Sequence, residues 1–131
     1  LQTVQNDAAR LIFQVSRTAH ASPLLRELHW LPISQRVLFK IMCLTHRLVS
    51  GSLHGPLDNR CQPYIPGRPL CSTLAGNLVV HQVRKSTMGG RAFSTWAPKS
   101  WNLLPLSLRK EQNYLAFRKH LKTYLFPAGS V

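Results

Sequence analysis

Between Gly51 and Gly76 the chain carries Pro56, Pro63, Pro66 and Pro69 among several glycines. Proline fixes its own φ and has no N–H to give, and glycine weakens any regular element it sits in. This stretch predicts loops with room for one helical turn, and it pushes regular structure to its two flanks. The preceding flank is helical in spacing. Val37, Leu38, Ile41, Leu44, Leu48 and Val49 recur at three- and four-residue intervals, one face of a helix over about 34–50. Ser34 is its start signal and Gly51 its stop, with Arg36, Lys40 and Arg47 on a solvated side.

Further helices follow from the same spacing. Leu1, Val4, Ala8, Leu11, Ile12 and Val15 form a stripe over 1–16, opposite Gln2, Gln5, Asn6 and Arg10. Ser22-Pro23 reads as an N-cap with proline at the first helical position, opening a short helix to about His29 that Trp30-Leu31-Pro32 ends. Beyond the loops, Leu78-Val79-Val80 and Val83 favour β structure, so a short strand or hairpin is expected around 78–95. Ala97-Pro98 starts a short helix carrying Trp96 and Trp101, and Pro105 closes it. The last helix, about 113–126, has Asn113 as its cap. Tyr114, Phe117, Leu121, Tyr124 and Leu125 line one face, with Arg118, Lys119 and Lys122 on the other. The expected fold is mainly α: four to five helices with a small β-hairpin insert. A length of 131 residues suits one domain, placed at 1–126 with a disordered tail at 127–131.

Charge narrows the function. Seventeen Lys and Arg against four Asp and Glu leave a net charge of +13. That points to a polyanion, nucleic acid first and an acidic membrane surface second. The acids Asp7, Glu27, Asp58 and Glu111 stand alone, which argues against paired-carboxylate catalysis and against a Mg²⁺ site formed by several of them. No apolar run reaches the roughly 18–20 residues of a membrane span. The start at Leu1 reads as a piece or a processed product. Residues 1–26 also have the acid-poor, Arg-bearing amphipathicity of a mitochondrial presequence, although a packed first helix needs the same stripe. Cys43, Cys61 and Cys71 are odd in number and irregular in spacing, which favours a reducing, intracellular setting over a disulfide framework. With His46 and His54 they supply metal-ligand types without any CxxC or HxxxH pair. No GxSxG elbow is present, and Gly89-Gly90-Arg91 lacks the Walker pattern and reads as a turn. Neither a cofactor, a metal, a catalytic residue nor a small-molecule substrate is expected.

Eleven of the basic residues are arginines, whose planar fork matches phosphate oxygens. The densest group is Arg109-Lys110 and Arg118-Lys119-His120 with Lys122, while Arg84-Lys85 and Arg91 flank the expected hairpin tip. These eight cations, Arg84, Lys85, Arg91, Arg109, Lys110, Arg118, Lys119 and Lys122, are the candidate nucleic-acid contacts, set against the plain alternative of solvated helix faces. Trp30, Trp96 and Trp101 could stack on bases, but their apolar, proline-flanked surroundings place them in the core.

Longer strings carry a resemblance. LQTVQNDAARLI (1–12), SPLLRELHWLPISQRVLFKI (22–41), PYIPGRPLCS (63–72), NLVV (77–80), RAFSTWAPKSWNLLPLSLR (91–109) and FRKHLKTYLF (117–126) occur in this order. Together they resemble the C-terminal region of the reverse transcriptase polyprotein of LINE-type non-LTR retrotransposons with an apurinic-type endonuclease. The resemblance covers about residues 1–126, with WLP and WNLLP its most specific elements. It implies a segment in or after the polymerase thumb, downstream of the palm whose catalytic aspartates have no match here. The implied role is accessory: gripping template RNA or the RNA–DNA hybrid, with duplex DNA a further partner, in the nucleus where target-primed integration occurs. It also implies an upstream polymerase domain as a packing partner, so a structural remnant without activity of its own is the alternative. Asp7, where a small residue is common, departs from the pattern, as does Ala19-His20-Ala21-Ser22, where an Asp-His-Ile-Thr-like string is usual. The cysteine-rich knuckle of some related elements is missing. These departures imply a truncated or ageing copy. A ribosome-associated basic protein would share the charge but not the strings.

Overall fold

Asn113 starts the last helix as its side-chain chemistry predicts. Its Oδ1 accepts the N–H of Leu115 at 2.9 Å and of Ala116 at 3.2 Å, two donors left without partners inside α6 (Tyr114–Ala128). The computed structural model describes residues 1–67, 76–83 and 89–128. The expected face of α6 is buried at Phe117, Leu121 and Leu125, and the helix continues past 126 to Ala128. Of the expected tail, 129–131 lie outside the described residues.

The other helices are α1 (Gln2–Ile12), α2 (Ala21–Glu27), α3 (Ile33–Val49), α4 (Phe93–Asn102) and α5 (Leu106–Arg109). The mainly helical architecture is therefore as expected. The chain divides into two compact units, Leu1–Lys40 with Leu121–Val131, and Ile41–His120. Both α3 and α6 supply residues to each unit.

Three helices end with a residue in the left-handed region, and only one of the three is glycine. After α3, Gly51 (φ 66°) closes the helix, with Ser52 N–H on Arg47 O at 2.9 Å. Gln14 (φ 53°) does the same after α1, with Val15 N–H on Arg10 O at 3.1 Å, and His29 (φ 54°) after α2, with Trp30 N–H on Leu25 O at 2.8 Å. These six-to-one bonds are Schellman closures. The Gln14 closure ends α1 at Ile12 rather than near residue 16, and with no glycine to mark it the sequence does not show it. A non-glycine residue in this region costs roughly 1–2 kcal/mol, partly offset by glycine's larger unfolded-state entropy. Gln14→Gly is therefore expected to raise stability by about 0.5–1 kcal/mol, seen as a higher urea midpoint. A lower midpoint would contradict the assigned closure.

Several expectations are corrected. The apolar stripe of α1 faces outward, with Leu1 91%, Val4 69% and Leu11 80% exposed. The polar side turns inward instead: Gln2 Oε1 accepts Ile33 N–H at 2.8 Å and Gln5 Nε2 donates to Leu31 O at 2.9 Å, so two glutamines serve the backbone at the entry to α3. The N-cap of α2 is His20 rather than Ser22, leaving Pro23 in a first turn where its missing N–H costs nothing. On α3 the buried residues are Met42, Cys43, Thr45 and His46, a face rotated from the expected stripe. Thr45 Oγ1 donates to Ile41 O at 2.8 Å and His46 Nε2 donates to Glu111 O at 2.7 Å, which pairs the hydroxyl and one of the two imidazole nitrogens, while His46 Nδ1 is buried without a partner. Trp101 is core, but Trp30 is 36% exposed.

The expected β-hairpin over 78–95 is not formed among the described residues. Leu78 instead pairs antiparallel with Pro63 in an isolated bridge, Tyr64 N–H reaching Asn77 O and Val79 N–H reaching Gln62 O, each at 2.8 Å. The other side of Leu78 is occupied by a side chain: Asn102 Oδ1 accepts Leu78 N–H at 2.8 Å and Asn102 Nδ2 donates to Leu78 O at 2.9 Å. With its backbone edge satisfied by an amide, the segment has no use for a second strand, and residues 93–102 are free to be helix. That helix, α4, starts at Phe93 and carries Pro98 inside it, where the sequence predicts a start at Ala97-Pro98.

Candidate nucleic-acid interface

In the second unit, α3 and α6 meet through aromatic rings. His46 stacks on Phe117 with centroids 4.3 Å apart and an interplanar angle of 26°, and it lies 6.3 Å from Trp101 and 5.9 Å from Tyr114. Its bond to the Glu111 carbonyl fixes the imidazole plane. Tyr114, half-buried against this cluster, is thereby held in place.

Two guanidinium groups gather on that ring. Arg47 Cζ lies 5.8 Å and Arg118 Cζ 5.7 Å from the Tyr114 centroid, inside the range of cation–π attraction, and both side chains are exposed. The positions follow from helix geometry. Arg118 is one turn after Tyr114 on α6, and Arg47 follows the buried His46 on α3. The ring offsets part of the repulsion between two like charges. Two planar forks beside an aromatic surface can take phosphate oxygens bidentately.

The two acids of the second unit, Asp58 and Glu111, each hold a backbone N–H. Asp7 is held by Arg10 at 2.8 Å, Asp58 Oδ2 accepts Gly55 N–H at 3.0 Å, and Glu111 Oε1 accepts Asn113 N–H at 3.1 Å. His120 Nδ1 lies 3.8 Å from the other Glu111 oxygen.

The sequence-predicted cations are distributed unevenly. Arg118, Lys119 and Lys110 are exposed on the second unit, and Arg91 is exposed at the end of a single 3-10 turn, Gly89–Arg91. Lys110 borders a pocket of about 560 Å³ together with Ser50, Ser52 and Arg109. Arg109 itself is half-buried and donates to Asn77 Oδ1, so it braces the Leu78 segment. Lys122 belongs to the first unit, with Nζ 5.8 Å over the Phe126 ring. Arg84 and Lys85 lie outside the described residues. Sequence reasoning missed Arg47, assigned to a solvated side, and Tyr114, assigned to the apolar stripe. Only the crossing of two helices far apart in the chain brings them together.

Both described thiols, Cys43 and Cys61, are free and buried. Burial pushes the Cys43 thiol up from its ordinary value, with the Arg118 charge and a hydrogen bond with Tyr114 pulling back; burial alone pushes Cys61 up. Burial thereby favours the protonated form of each thiol. Among the described residues no three His, Cys, Asp or Glu side chains come together as a metal site, and no helix is long and apolar enough to cross a membrane. No protein-family model, curated protein or solved structure matches this chain.

Proposed function

We propose that this chain is a non-catalytic, nucleic-acid-binding segment of a LINE-type retrotransposon reverse transcriptase, gripping template RNA or the RNA–DNA hybrid downstream of the polymerase palm, in the nucleus. The observation that carries the binding role is the pair of guanidinium groups on Tyr114, in a chain of net charge +13. Phosphate contacts of this kind supply affinity without base readout, which suits a segment that must hold any template. The link to reverse transcriptase rests on the ordered strings alone, two of which touch in the fold. Asn77 and Leu78 of the NLVV string are gripped by Arg109 and by Asn102 of the WNLLP string. The test is direct titration of the purified chain with a structured RNA at two salt concentrations.

A second reading has its own observation. The outward stripe Leu1, Val4, Leu11 and Ile12 leaves an apolar helix face uncovered, the kind of surface that marks a partner. In this reading an upstream polymerase domain covers α1, and the chain is a scaffold without activity of its own. A clean monomer in gel filtration counts against it.

A further inference from the structure

Within the first unit, a pocket of about 610 Å³ opens among α1, α2 and the start of α3. Two of its lining residues are aromatic, Trp30 and Phe126. Trp30 is 36% exposed although the adjacent Leu31 is only 8% exposed. The backbone enforces this difference. With His29 in the left-handed region and Trp30 N–H bound to Leu25 O at 2.8 Å, the chain turns sharply where α2 ends and presents Trp30 at a fixed place. Phe126 is steadied by the edge of the His29 ring, centroids 6.1 Å apart at 78°, and Lys122 sits over its ring. Polar and cationic side chains, among them Arg10, Arg26, His20 and Gln35, share the rest of the lining with small and aliphatic ones such as Ala21 and Leu25. None of the four carboxylates lines it.

This composition selects a ligand class. A purely aliphatic ligand would leave the polar and cationic groups unanswered, and a metal would want carboxylates or paired imidazoles. Arg10 is paired with Asp7, but aromatic surface, hydrogen-bonding side chains and the positive charge of Arg26 and nearby Lys122 suit a flat heterocycle attached to an anion. Inside duplex such a group is stacked and out of reach; in a single strand it is available.

We infer that this pocket receives one unstacked base of a single-stranded nucleic acid, with Trp30 as the stacking surface and Lys122 serving an adjoining phosphate. The inference rests on the nucleic-acid reading above and adds to it a single-strand class and a place. It is tested by titrating a dye-labelled oligoadenylate hexamer, and a labelled abasic strand of the same length, with the whole chain and following the anisotropy of the label, with tryptophan fluorescence of the unaltered chain recorded beside it. The hexamer is expected to quench the fluorescence, and Trp30→Leu to weaken its binding roughly 5- to 150-fold, the range that stacking of one base on an aromatic side chain commands. Trp30→Phe keeps a ring at the same place and is expected to retain most of the affinity. The abasic strand should bind the unaltered chain no better than the hexamer binds Trp30→Leu. Equal binding of the abasic strand and the hexamer to the unaltered chain, with the usual salt dependence, overturns the base pocket and leaves the phosphate contacts standing; that comparison needs no variant to fold. Failure of the folded chain to bind either strand overturns the pocket and the nucleic-acid reading together.

Discussion

Asn102→Leu is expected to cost about 2–5 kcal/mol, enough to put a marginally stable domain close to its unfolding threshold. The side-chain amide of Asn102 satisfies both backbone groups of Leu78, at 2.8 and 2.9 Å, and Leu78 is only 3% exposed. Leucine has nearly the same shape but neither donor nor acceptor. The N–H and C=O of Leu78 would then be left in a dry site, each at about 1–3 kcal/mol. Helicity lost at a midpoint lowered by about 10 °C is the expected reading in a thermal circular dichroism scan. Leu103→Ala is the control, since Leu103 is 76% exposed and its truncation should shift the midpoint little. Equal midpoints for Asn102→Leu and the unaltered chain would show that the Leu78 segment is not held as described.

The largest expected effect on binding comes from reversing the charges on Tyr114. Arg47→Glu with Arg118→Glu should lower affinity for RNA by roughly 100-fold or more, taking each charge-assisted contact at about 1.5–3 kcal/mol. The log–log salt slope should also become shallower, by about one for each phosphate that is no longer neutralised. Net charge alone would produce some loss, so a variant with the same change of charge elsewhere is needed. Arg36→Glu with Arg60→Glu provides it, because both residues are exposed and neither lies over the Tyr114 ring. The claim is local: the first pair must lose far more than the second. Comparable losses would make the binding a property of overall charge. Tyr114→Leu distinguishes further, since it leaves both arginines but removes the ring that holds them together.

Much of the helical layout was legible because its signals are local. Asn113 caps α6 and Gly51 closes α3 where their chemistry says they should. Phe117, Leu121 and Leu125 keep helical spacing and are buried together. The failures share one physical cause, which is that the deciding partner was distant in the chain. The β preference of Leu78-Val79-Val80 is real, but an asparagine 24 residues away takes the place of the second strand. The stripe of α1 is strong, yet Gln2 and Gln5 find backbone partners near residues 31–33 and turn the helix over. Trp30 reads as core beside Leu31 and Pro32, and a left-handed histidine swings it outward. For the candidate interface, the C-terminal cations were visible as a run. Their organisation was not, because Arg47 joins Arg118 only through Tyr114.

If this chain holds nucleic acid through its phosphates, as proposed, its binding must weaken steeply with salt. A labelled structured RNA is titrated with the purified chain at two monovalent salt concentrations, beside duplex DNA of the same length. Saturable binding whose log–log slope is about −3 or steeper is the predicted result, several phosphates each contributing roughly 0.7–0.9. A folded, monodisperse chain that binds neither nucleic acid, or binds with a slope near zero, would contradict it, and the uncovered face of α1 would then be the better guide to what this chain does.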